Sequence, residues 1–448
     1  MDQLAAIFKS YDIRGKVGTE LTSEVANKIG QAFGLWLPKN GPVAVGRDMR
    51  PDSEDLATNL IDGLIAQGRD VWDIGQVTSD MIYFAAGKYG LAGGAVVTAS
   101  HNPSEYNGIK LCADEAKAVG LEFGLSEIRD MVIKNDFKPA ASRGKITQKD
   151  ITEDWIAHVL SFVEIDKLKP LKIAVDAGNG MAGKIFPVFE KYVPFKVTRM
   201  YFELDGTFPN HEANPLKPET LIDLSKTIKK NALDGGVAFD GDGDRGFLVD
   251  ETGQMLSGGV MSSMIAEYFL QKYPGATIVY DARNSKSVPE LVNELGGKSV
   301  RSRVGHSNIK KMMRELDAPF GGEASGHFYL RDNWYADSGI IGILVGLYLM
   351  CLSGKKMSDL REQYTRYEAI PETNFEVVDK DKILSSLKEV FADEKQDELD
   401  GLTINLNNGS WFNIRPSNTE PLLRLNAEAK AKEDLDKLVA RVQQIIQT

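Results

Sequence analysis

The chain has 448 residues, 42% of them hydrophobic and 26% charged, which is the composition of a soluble globular protein with roughly three or four domains. A net charge of −11 argues against a nucleic-acid-binding or membrane-binding surface, so we expect neither partner, and an anionic ligand would need a locally basic cleft. The two cysteines lie far apart and the N-terminus lacks a signal-peptide pattern, so we expect a reducing, cytoplasmic location.

Three segments of the chain look like versions of one unit. Each begins with an apolar strand that ends near an aspartate, then continues through a polar turn and a helical pattern to a pair of glycines. In chain order the aspartates are Asp48, Asp176 and Asp281, the helical patterns span 52–66, 182–192 and 287–295, and the polar side chains just beyond the glycine pairs are Ser100, Asp240 and Glu323. Alternating strands and helices predict α/β layers whose ligands bind beyond the carboxyl ends of the strands. We therefore expect three equivalent loops to converge on one cleft.

The last part of the chain has a different pattern. It predicts strands at 374–378, 402–406, 410–414 and 422–427 and helices at 380–392 and 431–446, with the charge-rich stretch 379–400 as a solvated helix and turn. We therefore predict three similar mixed-sheet α/β domains (1–150, 151–255 and 256–369) and a smaller C-terminal α+β domain (370–448) around a central cleft. The longest apolar run, 339–352, is shorter than the ~20 residues of a membrane span and is interpreted as a buried core helix.

The first of the three loops, residues 98–103, reads Thr-Ala-Ser-His-Asn-Pro. One interpretation is a strand-to-turn corner, because Asn-Pro marks turns and serine caps them. The other is a hydroxyl nucleophile, Ser100, beside the imidazole of His101 and activated by a metal ion or a base. Lys110, shortly downstream, could bind phosphate or exchange a proton.

The second loop, residues 240–245, reads Asp-Gly-Asp-Gly-Asp-Arg. The aspartates match the start of a calcium-binding helix-loop-helix, but Arg245 holds the sixth position, which needs glycine, and the flanking segments are strand-like. A tight turn would place Asp240, Asp242 and Asp244 around a hard cation such as Mg²⁺ and leave positions for a phosphate oxygen. The alternative is a plain acidic turn, in which the three carboxylates repel one another.

Two further loops carry weaker signals. Glu323 and Ser325 lie two residues apart in Gly-Glu-Ala-Ser-Gly-His, either in an ordinary turn or as a grip on adjacent sugar hydroxyls. Arg415 begins Arg-Pro-Ser-Asn-Thr-Glu-Pro between two strands, either as a polar hairpin loop or as a cradle for a phosphate dianion. His306 is interpreted as a helix-start residue, and Arg14 either as one more site arginine or as part of a polar turn.

Five motifs in this order carry a resemblance to a known family. They are Tyr-Asp-Ile-Arg-Gly at 11–15, Thr-Ala-Ser-His-Asn-Pro at 98–103, Asp-Gly-Asp-Gly-Asp-Arg at 240–245, Gly-Glu-Ala-Ser-Gly-His at 322–327 and Arg-Pro-Ser-Asn-Thr-Glu-Pro at 415–421. Over essentially its whole length the chain resembles the α-D-phosphohexomutases, most of all the bacterial phosphomannomutase/phosphoglucomutase branch. The resemblance implies a heart-shaped molecule of four domains around a central cleft. It also implies a phosphoserine at Ser100 and Mg²⁺ held by Asp240, Asp242, Asp244 and the seryl phosphate.

The same resemblance implies a reaction and the residues that perform it. Phospho-Ser100 would give its phosphoryl group to the free hydroxyl of a hexose 1- or 6-phosphate, the 1,6-bisphosphate would turn over in the cleft, and the other phosphate would return to Ser100. Glucose and mannose phosphates are the expected substrates, glucose 1,6-bisphosphate is the expected activator, and a monomer is expected. The residues assigned to the reacting groups are Ser100, His101, Lys110 and Arg245, and those assigned to the substrate are Arg14, Arg283, His306, Glu323, Ser325, His327, Arg415, Ser417, Asn418 and Thr419.

Two departures from the family pattern leave the preferred hexose open. Ala324 stands where methionine is common between the glutamate and serine of the sugar loop, and Arg283 stands where lysine is common. A glutamine at 324 would have favoured phosphoglucosamine mutase. That mutase and a phosphoserine-dependent sugar phosphatase remain the alternatives, together with a non-catalytic calcium-binding protein, which the broken helix-loop-helix disfavours.

Overall fold

The computed structural model describes residues 4–417 and 421–447, which form four β-sheets with helices packed against them. Each sheet is built from one continuous stretch of chain, so the sheets define a first, second, third and fourth unit. The first three sheets share a mixed topology and the fourth differs. This confirms the predicted fold of three similar mixed-sheet α/β units and a smaller α+β unit.

The first unit has the largest of the three mixed sheets, with six strands. Its strands are β1 (Ile13–Lys16), β2 (Val43–Arg47), β3 (Val71–Gln76), β4 (Gly93–Val97), β5 (Tyr106–Ala113) and β6 (Ile146–Gln148). Its helices are α1 (Ser23–Trp36), α2 (Ser53–Ala66), α3 (Ser79–Lys88) and α4 (Ser126–Lys134). The strand order is β1-β5-β4-β2-β3-β6. Helix α1 begins where the Thr22 side chain accepts a hydrogen bond from the Val25 N–H, and its apolar face, which includes Ile29 and Phe33, is buried.

The sheet of the second unit repeats the arrangement of the four central strands of the first sheet, β5-β4-β2-β3. Its strands are β7 (Lys172–Asp176), β8 (Lys196–Met200), β9 (Gly235–Phe239) and β10 (Gly246–Asp250). Its helices are α5 (Thr152–Leu160), α6 (Ala182–Phe189) and α7 (Ile222–Lys230). The strand order is β10-β9-β7-β8. The acidic turn is flanked by strands β9 and β10 and not by helices, as the sequence predicted.

The third unit has the same plan with longer helices. Its strands are β11 (Thr277–Asp281), β12 (Lys298–Ser302), β13 (Phe320–Gly322), β14 (Phe328–Leu330) and β15 (Ala336–Asp337). Its helices are α8 (Gly258–Lys272), α9 (Ser287–Glu294), α10 (His306–Leu316), α11 (Gly339–Ser353) and α12 (Met357–Tyr364). The strand order is β12-β11-β13-β14-β15. His306 starts α10, as interpreted from the sequence.

The fourth unit is an antiparallel sheet with two helices. Its strands are β16 (Glu368–Ala369), β17 (Thr373–Glu376), β18 (Lys395–Asp397), β19 (Leu402–Asn405), β20 (Trp411–Pro416) and β21 (Leu422–Ala429), and its helices are α13 (Lys380–Val390) and α14 (Lys432–Ile446). The order is β16-β21-β20-β19-β18, with β17 also paired to β21. The charge-rich stretch 379–400 contains β18, which the sequence did not predict. An edge strand tolerates charged side chains, so the apolar alternation that marks inner strands is absent from it.

The internal repeat positions three loops at equivalent points. In each of the first three units the strand that ends at or just before the repeated aspartate lies between two parallel neighbours: β2 between β3 and β4, β7 between β8 and β9, and β11 between β12 and β13. The strand that carries the glycine pair then turns back into an antiparallel partner, β4 into β5, β9 into β10 and β13 into β14. The connecting turns carry Ser100, the three aspartates and Glu323.

The apolar core is divided unequally among the units. One continuous cluster of buried side chains runs through the first three units and includes Phe84, Phe186, Phe247 and Phe328. A second cluster covers the other face of the first sheet. The fourth unit has a separate core of its own, centred on strands β19 to β21 and helices α13 and α14.

Helix α11 lies in the shared core. Twelve of its fifteen residues are buried, which confirms the interpretation of the apolar run 339–352 as a core helix. Within residues 4–417 and 421–447, no single helix is long and apolar enough to cross a membrane, and only α11 and α12 taken together, with a 104° bend between them, reach the required length and hydropathy.

Candidate active site

All four units line one cleft of about 610 Å³. The first unit contributes the Ser100 turn and side chains of β1 and β5, and the second contributes the acidic turn. The third contributes the turn after β13 and the start of α10, and the fourth contributes the end of β20 and a side chain near the start of β21. Of the residues singled out from the sequence, those that line the cleft are Arg14, Ser100, His101, Lys110, Asp244, Arg245, His306, Glu323, His327, Arg415 and Ser417. The expectation that the loops converge is therefore confirmed.

Ser100 faces the acidic turn. Its Oγ donates a hydrogen bond of 2.8 Å to Asp240 Oδ2 and lies 3.1 Å from His101 Nδ1 and 3.5 Å from Arg245 Nη2. The residue has a φ of +51°, a left-handed conformation that non-glycine residues rarely adopt, and only 3% of its surface is exposed. The hydroxyl is thus held at one place at the edge of the cleft, with carboxylate, imidazole and guanidinium groups around it.

The acidic turn brings its three carboxylates together in the interior. Ligand oxygens of Asp240, Asp242 and Asp244 lie within 4.8 Å of one another, and all three side chains are buried. Lys110 Nζ lies 2.6 Å from Asp242 Oδ2 and 2.5 Å from Asp244 Oδ2, and Arg245 Nε donates to Asp240 Oδ2 over 2.9 Å. Two cations therefore face three carboxylates, which leaves one negative charge without compensation.

The pKa values of the aspartates follow this charge balance. Burial raises the pKa of Asp244 to about 7, and the neighbouring Asp242 carboxylate adds to the increase. Burial also acts to raise the pKa of Asp242, but the ammonium of Lys110 outweighs it and the net pKa is low. Burial disfavours the charged form of Lys110, yet its two carboxylate partners raise the pKa of that amine well above its ordinary value. At Asp244, burial and the neighbouring carboxylates therefore outweigh the Lys110 ammonium.

The turn has the donors that a hard cation needs. Among the described residues, Asp242 Oδ1 and Asp244 Oδ1 are buried carboxylate oxygens without a hydrogen-bond partner. Oxygen-only ligands from several carboxylates suit Mg²⁺, and a cation would supply the missing charge. Gly241 lets the turn approach the Ser100 loop, since a Cβ at position 241 would lie 2.5 Å from the Ser100 carbonyl oxygen. The residues present therefore fit a divalent cation beside the Ser100 hydroxyl.

In the third unit, the polar side chains of the turn after β13 contact one another. Glu323 accepts hydrogen bonds from the buried Tyr329 hydroxyl (2.9 Å) and from Ser325 Oγ (2.8 Å). Ser325 Oγ also lies 3.0 Å from His327 Nδ1. Arg283 Nη2 lies 3.5 Å from Glu323 Oε2. Ser325 and Arg283 do not line the cleft themselves but contact Glu323, which does.

The histidines of the cleft are neutral. Burial lowers the pKa of His306 to about 3, with the Lys310 ammonium adding to the effect. Burial lowers the pKa of His327 to about 4, although Asp244 opposes the change. Burial, together with Arg245, holds the pKa of His101 well below its usual value. At neutral pH each ring therefore has a lone pair available for a proton or a hydrogen bond.

Arginines of the third and fourth units gather around the Glu372 carboxylate. Arg415 on β20 lies directly across from Arg424 on β21, and both line the cleft. Like charges opposite each other in an antiparallel pair repel unless an anion lies between them. The Glu372 carboxylate approaches both guanidinium groups at 3.8 Å and that of Arg283 at 3.5 Å. Three guanidinium groups therefore share the one Glu372 carboxylate.

Some residues of the site were not predicted from the sequence, and some that were predicted lie outside the described part of the chain. Asn418 and Thr419, assigned to phosphate binding from the sequence, are outside the described residues. Arg424, which the structure pairs with Arg415 across β20 and β21, was not predicted from the sequence. Asp337 and Tyr329, which also line the cleft, gave no signal because they occur in short strands with apolar neighbours.

The chain matches family models of known proteins along nearly its whole length. Models described as phosphoglucomutase/phosphomannomutase alpha/beta/alpha domains I, II and III match residues 5–139, 153–253 and 258–367, and the model of the C-terminal domain of the same proteins matches residues 372–445. The chain belongs to the phosphoglucomutase/phosphomannomutase family. The resemblance drawn from five sequence motifs and the prediction of an enzyme of this family are both confirmed.

Individual members of the phosphoglucomutase/phosphomannomutase family match almost end to end. A phosphomannomutase of Salmonella montevideo is 40% identical, with 98% of each chain covered. A protein named phosphohexose mutases from Xanthomonas campestris pv. campestris is also 40% identical, again with 98% of each chain covered. A solved structure of a phosphoglucomutase/phosphomannomutase family protein from Burkholderia thailandensis superposes with a TM-score of 0.90 at 32% identity and covers 99% of this chain and 96% of its own.

Proposed function

We propose that this chain is a phosphohexomutase that interconverts hexose 1-phosphates and hexose 6-phosphates of glucose, mannose or both, through phospho-Ser100 and a hexose 1,6-bisphosphate. The observation that carries the proposal is the position of Ser100 Oγ beside the acidic turn, in a cleft lined by all four units. The names of the relatives, phosphomannomutase and phosphohexose mutases, support this class of substrate.

The transfer step uses groups that surround Ser100. The bond between phosphorus and Ser100 Oγ breaks, a bond from phosphorus to the sugar hydroxyl forms, and the hydroxyl passes its proton to a base in the cleft. His327 lines the cleft with a neutral ring and is the candidate for this base, whereas the Lys110 ammonium, whose pKa is raised, is the candidate for donating a proton in the reverse transfer. Arg245 and Lys110 bring positive charge to the phosphoryl oxygens. Mg²⁺ held by Asp240, Asp242 and Asp244 would neutralise the same oxygens further.

The other end of the substrate requires a second anion site. Arg415 and Ser417 lie on the fourth unit, away from the acidic turn, and the resemblance adds Asn418 and Thr419. Arg424, opposite Arg415, fits the same role. Between the two anion sites Glu323 and Ser325 would hold sugar hydroxyls, with Arg14, Arg283 and His306 as further substrate contacts. A substrate with a phosphate at each end would therefore be held while it turns over.

Two other functions are weighed against this one. A phosphoserine-dependent phosphatase needs the nucleophile and the cation but has no use for a second anion site, so the arginine cluster favours the mutase. A phosphoglucosamine mutase would share the whole arrangement, and Ala324, in place of the glutamine expected there, speaks against it. We further propose glucose 1,6-bisphosphate as the activator, because it can phosphorylate Ser100, and a cytoplasmic monomer as the working form.

An assay with matched substrates tests the proposal. Purified protein would be supplied with Mg²⁺, a trace of the corresponding 1,6-bisphosphate, and glucose, mannose or glucosamine 1-phosphate. We expect the glucose or mannose 6-phosphate to form, and intact mass to show one phosphate on the protein. Release of inorganic phosphate without isomerisation would identify a phosphatase instead, and turnover confined to glucosamine 1-phosphate would identify the amino-sugar mutase.

Replacing Glu323 by glutamine should slow both directions of the reaction to a similar extent. The sugar reverses its orientation while the loop stays in place, so a residue that holds sugar hydroxyls serves both orientations. A hydrogen bond to a charged group is typically worth enough for a loss of about 10- to 100-fold in kcat/KM. The measurement is kcat/KM from the 1-phosphate and from the 6-phosphate. Glu315→Gln, at an exposed position on α10, is the control, and a loss in one direction alone would contradict the assignment.

Replacing Arg415 by alanine should raise KM by about 10- to 100-fold, because a charge-assisted contact with the phosphate that is not being transferred is lost. The bisphosphate should also escape more often, since it must be retained during reorientation. KM and released glucose 1,6-bisphosphate would be measured together, with Arg441→Ala on α14 as the control. Phosphorylation of Ser100 should survive. Unchanged KM and unchanged release would show that this loop is only a polar hairpin.

A further inference from the structure

We propose that Arg50 is a positioning residue for phosphoryl transfer, which fixes the backbone of the Ser100 loop without touching the substrate. The inference rests on the proposed function, because it assigns to Arg50 a role in the reaction at Ser100. Arg50 follows β2 in the first unit, where only 3% of its surface is exposed, and it is not among the residues that line the cleft.

The guanidinium of Arg50 holds four backbone carbonyls of one loop. Nη2 donates to the carbonyl oxygens of Ser100 (2.9 Å) and Asn102 (2.6 Å), and Nη1 donates to those of Pro103 (2.9 Å) and Tyr106 (2.8 Å). The two η nitrogens have four N–H groups, and each reaches a different carbonyl. One side chain therefore binds four carbonyls between Ser100 and Tyr106, beside two backbone hydrogen bonds of the segment itself, from the Asn102 N–H to the Ala99 carbonyl and from the Tyr106 N–H to the Pro103 carbonyl.

Arg50 is itself held in place from several sides. Its backbone N–H donates to Asp48 Oδ1 over 2.9 Å, and its Nε lies 3.4 Å from Asp48 Oδ2. Ser53 Oγ donates to the same carboxylate over 2.5 Å. The Phe208 ring of the second unit lies 5.2 Å from the centre of the guanidinium. A side chain fixed in this way transmits its position to the loop that it contacts.

The loop needs such support because its conformation is strained. Ser100 has a φ of +51°, and a non-glycine residue keeps such a conformation only where its surroundings enforce it. The Ser100 carbonyl that Arg50 binds is also the atom against which Gly241 of the acidic turn packs. A displacement of this carbonyl would move Ser100 Oγ away from Asp240. A misplacement of about 1 Å can slow a reaction by about 100-fold.

The equivalent arginine of the third unit supports the role of Arg50 in positioning the Ser100 loop. Asp48-Met-Arg50 in the first unit has the same spacing and place as Asp281-Ala-Arg283 in the third. Arg283 points to the functional loop of its own unit, where its Nη2 lies 3.5 Å from the Glu323 side chain. In one unit the arginine thus contacts a side chain of the loop, and in the other it binds the loop's backbone.

The test compares Arg50→Lys with Arg69→Lys. Arg69 is a matched control, because its guanidinium donates to the carbonyls of Gly34, Leu37 and Lys39 in the same unit but away from the cleft. Lysine keeps the positive charge in both cases but presents its N–H groups from a single point, so it cannot span the carbonyls. We expect Arg50→Lys to lower kcat on the order of 100-fold with KM unchanged, and Arg69→Lys to leave both unchanged.

Chemical rescue separates positioning from stability. In Arg50→Ala, millimolar guanidinium should restore part of kcat, since the free ion can occupy the vacated place, whereas it should not change the turnover of Arg69→Ala. Wild-type kinetics in Arg50→Lys, or losses in kcat that track melting temperature equally in both variants, would overturn the role of Arg50 alone. A wild-type protein without mutase turnover or phosphoserine would overturn the proposed function and this inference together.

Discussion

Replacing Ser100 by alanine is expected to reduce mutase turnover on the order of 10⁵-fold or more, because the reaction proposed here passes through a covalent bond to its Oγ. The fold should survive, since the side chain is small and its one strong hydrogen bond is to Asp240 Oδ2. Turnover would be measured with glucose 1-phosphate, and the phosphate on the protein by intact mass.

Ser104 provides the control for this experiment. It lies in the same loop, four residues after Ser100, and is exposed. Ser104→Ala should retain both turnover and the phosphate. Turnover near the wild-type level in Ser100→Ala, with an unchanged circular dichroism spectrum, would exclude Ser100 as the nucleophile.

Replacing Asp242 by asparagine is expected to lower kcat by roughly 10²- to 10³-fold and to raise the Mg²⁺ concentration needed for activity. The side chain has one oxygen bonded to Lys110 and Ser79 and a second, buried oxygen without a hydrogen-bond partner among the described residues. An amide at this place removes one of the three anionic ligands for a hard cation. Mg²⁺ titration of the activity gives the first measurement.

A binding measurement tests the role of Asp242 in holding Mg²⁺ without an activity assay. Mg²⁺ should raise the melting temperature of the wild-type protein and of the control Asp223→Asn, which changes an exposed residue of α7, but should have less effect on Asp242→Asn. Equal stabilisation of all three proteins would mean that the cation binds elsewhere.

Much of the fold could be predicted because the chain repeats itself. The strand that leads to an aspartate, the helix after it and the glycine pair recur three times, and the period of the apolar residues shows the layers. The repeat also predicts that Ser100, Asp240 and Glu323 lie in equivalent turns, which the structure confirms. Domain boundaries and the roles of single residues stay predictions.

The sequence could not show which side chains outside the catalytic motifs contribute to the site. Arg50 ends the turn-like stretch Asp48-Met-Arg50, and nothing in this stretch indicates its four carbonyl partners, since these are backbone atoms about fifty residues away. Arg424 occurs in an ordinary strand pattern, and its importance depends on the register that places it opposite Arg415. The contacts of Arg50 are long-range, whereas motifs describe only neighbours along the chain.

The separate core of the fourth unit has a consequence for how the protein melts. The first three units share one continuous set of buried side chains and should unfold together, whereas the fourth has its own core and can unfold by itself. Calorimetry of the free protein should then resolve two heat-absorption peaks. A ligand with one phosphate at the acidic turn and the other at Arg415 would connect the two bodies and draw the peaks together. The shape of the melting curve would thus report whether both ends of a ligand are held at once.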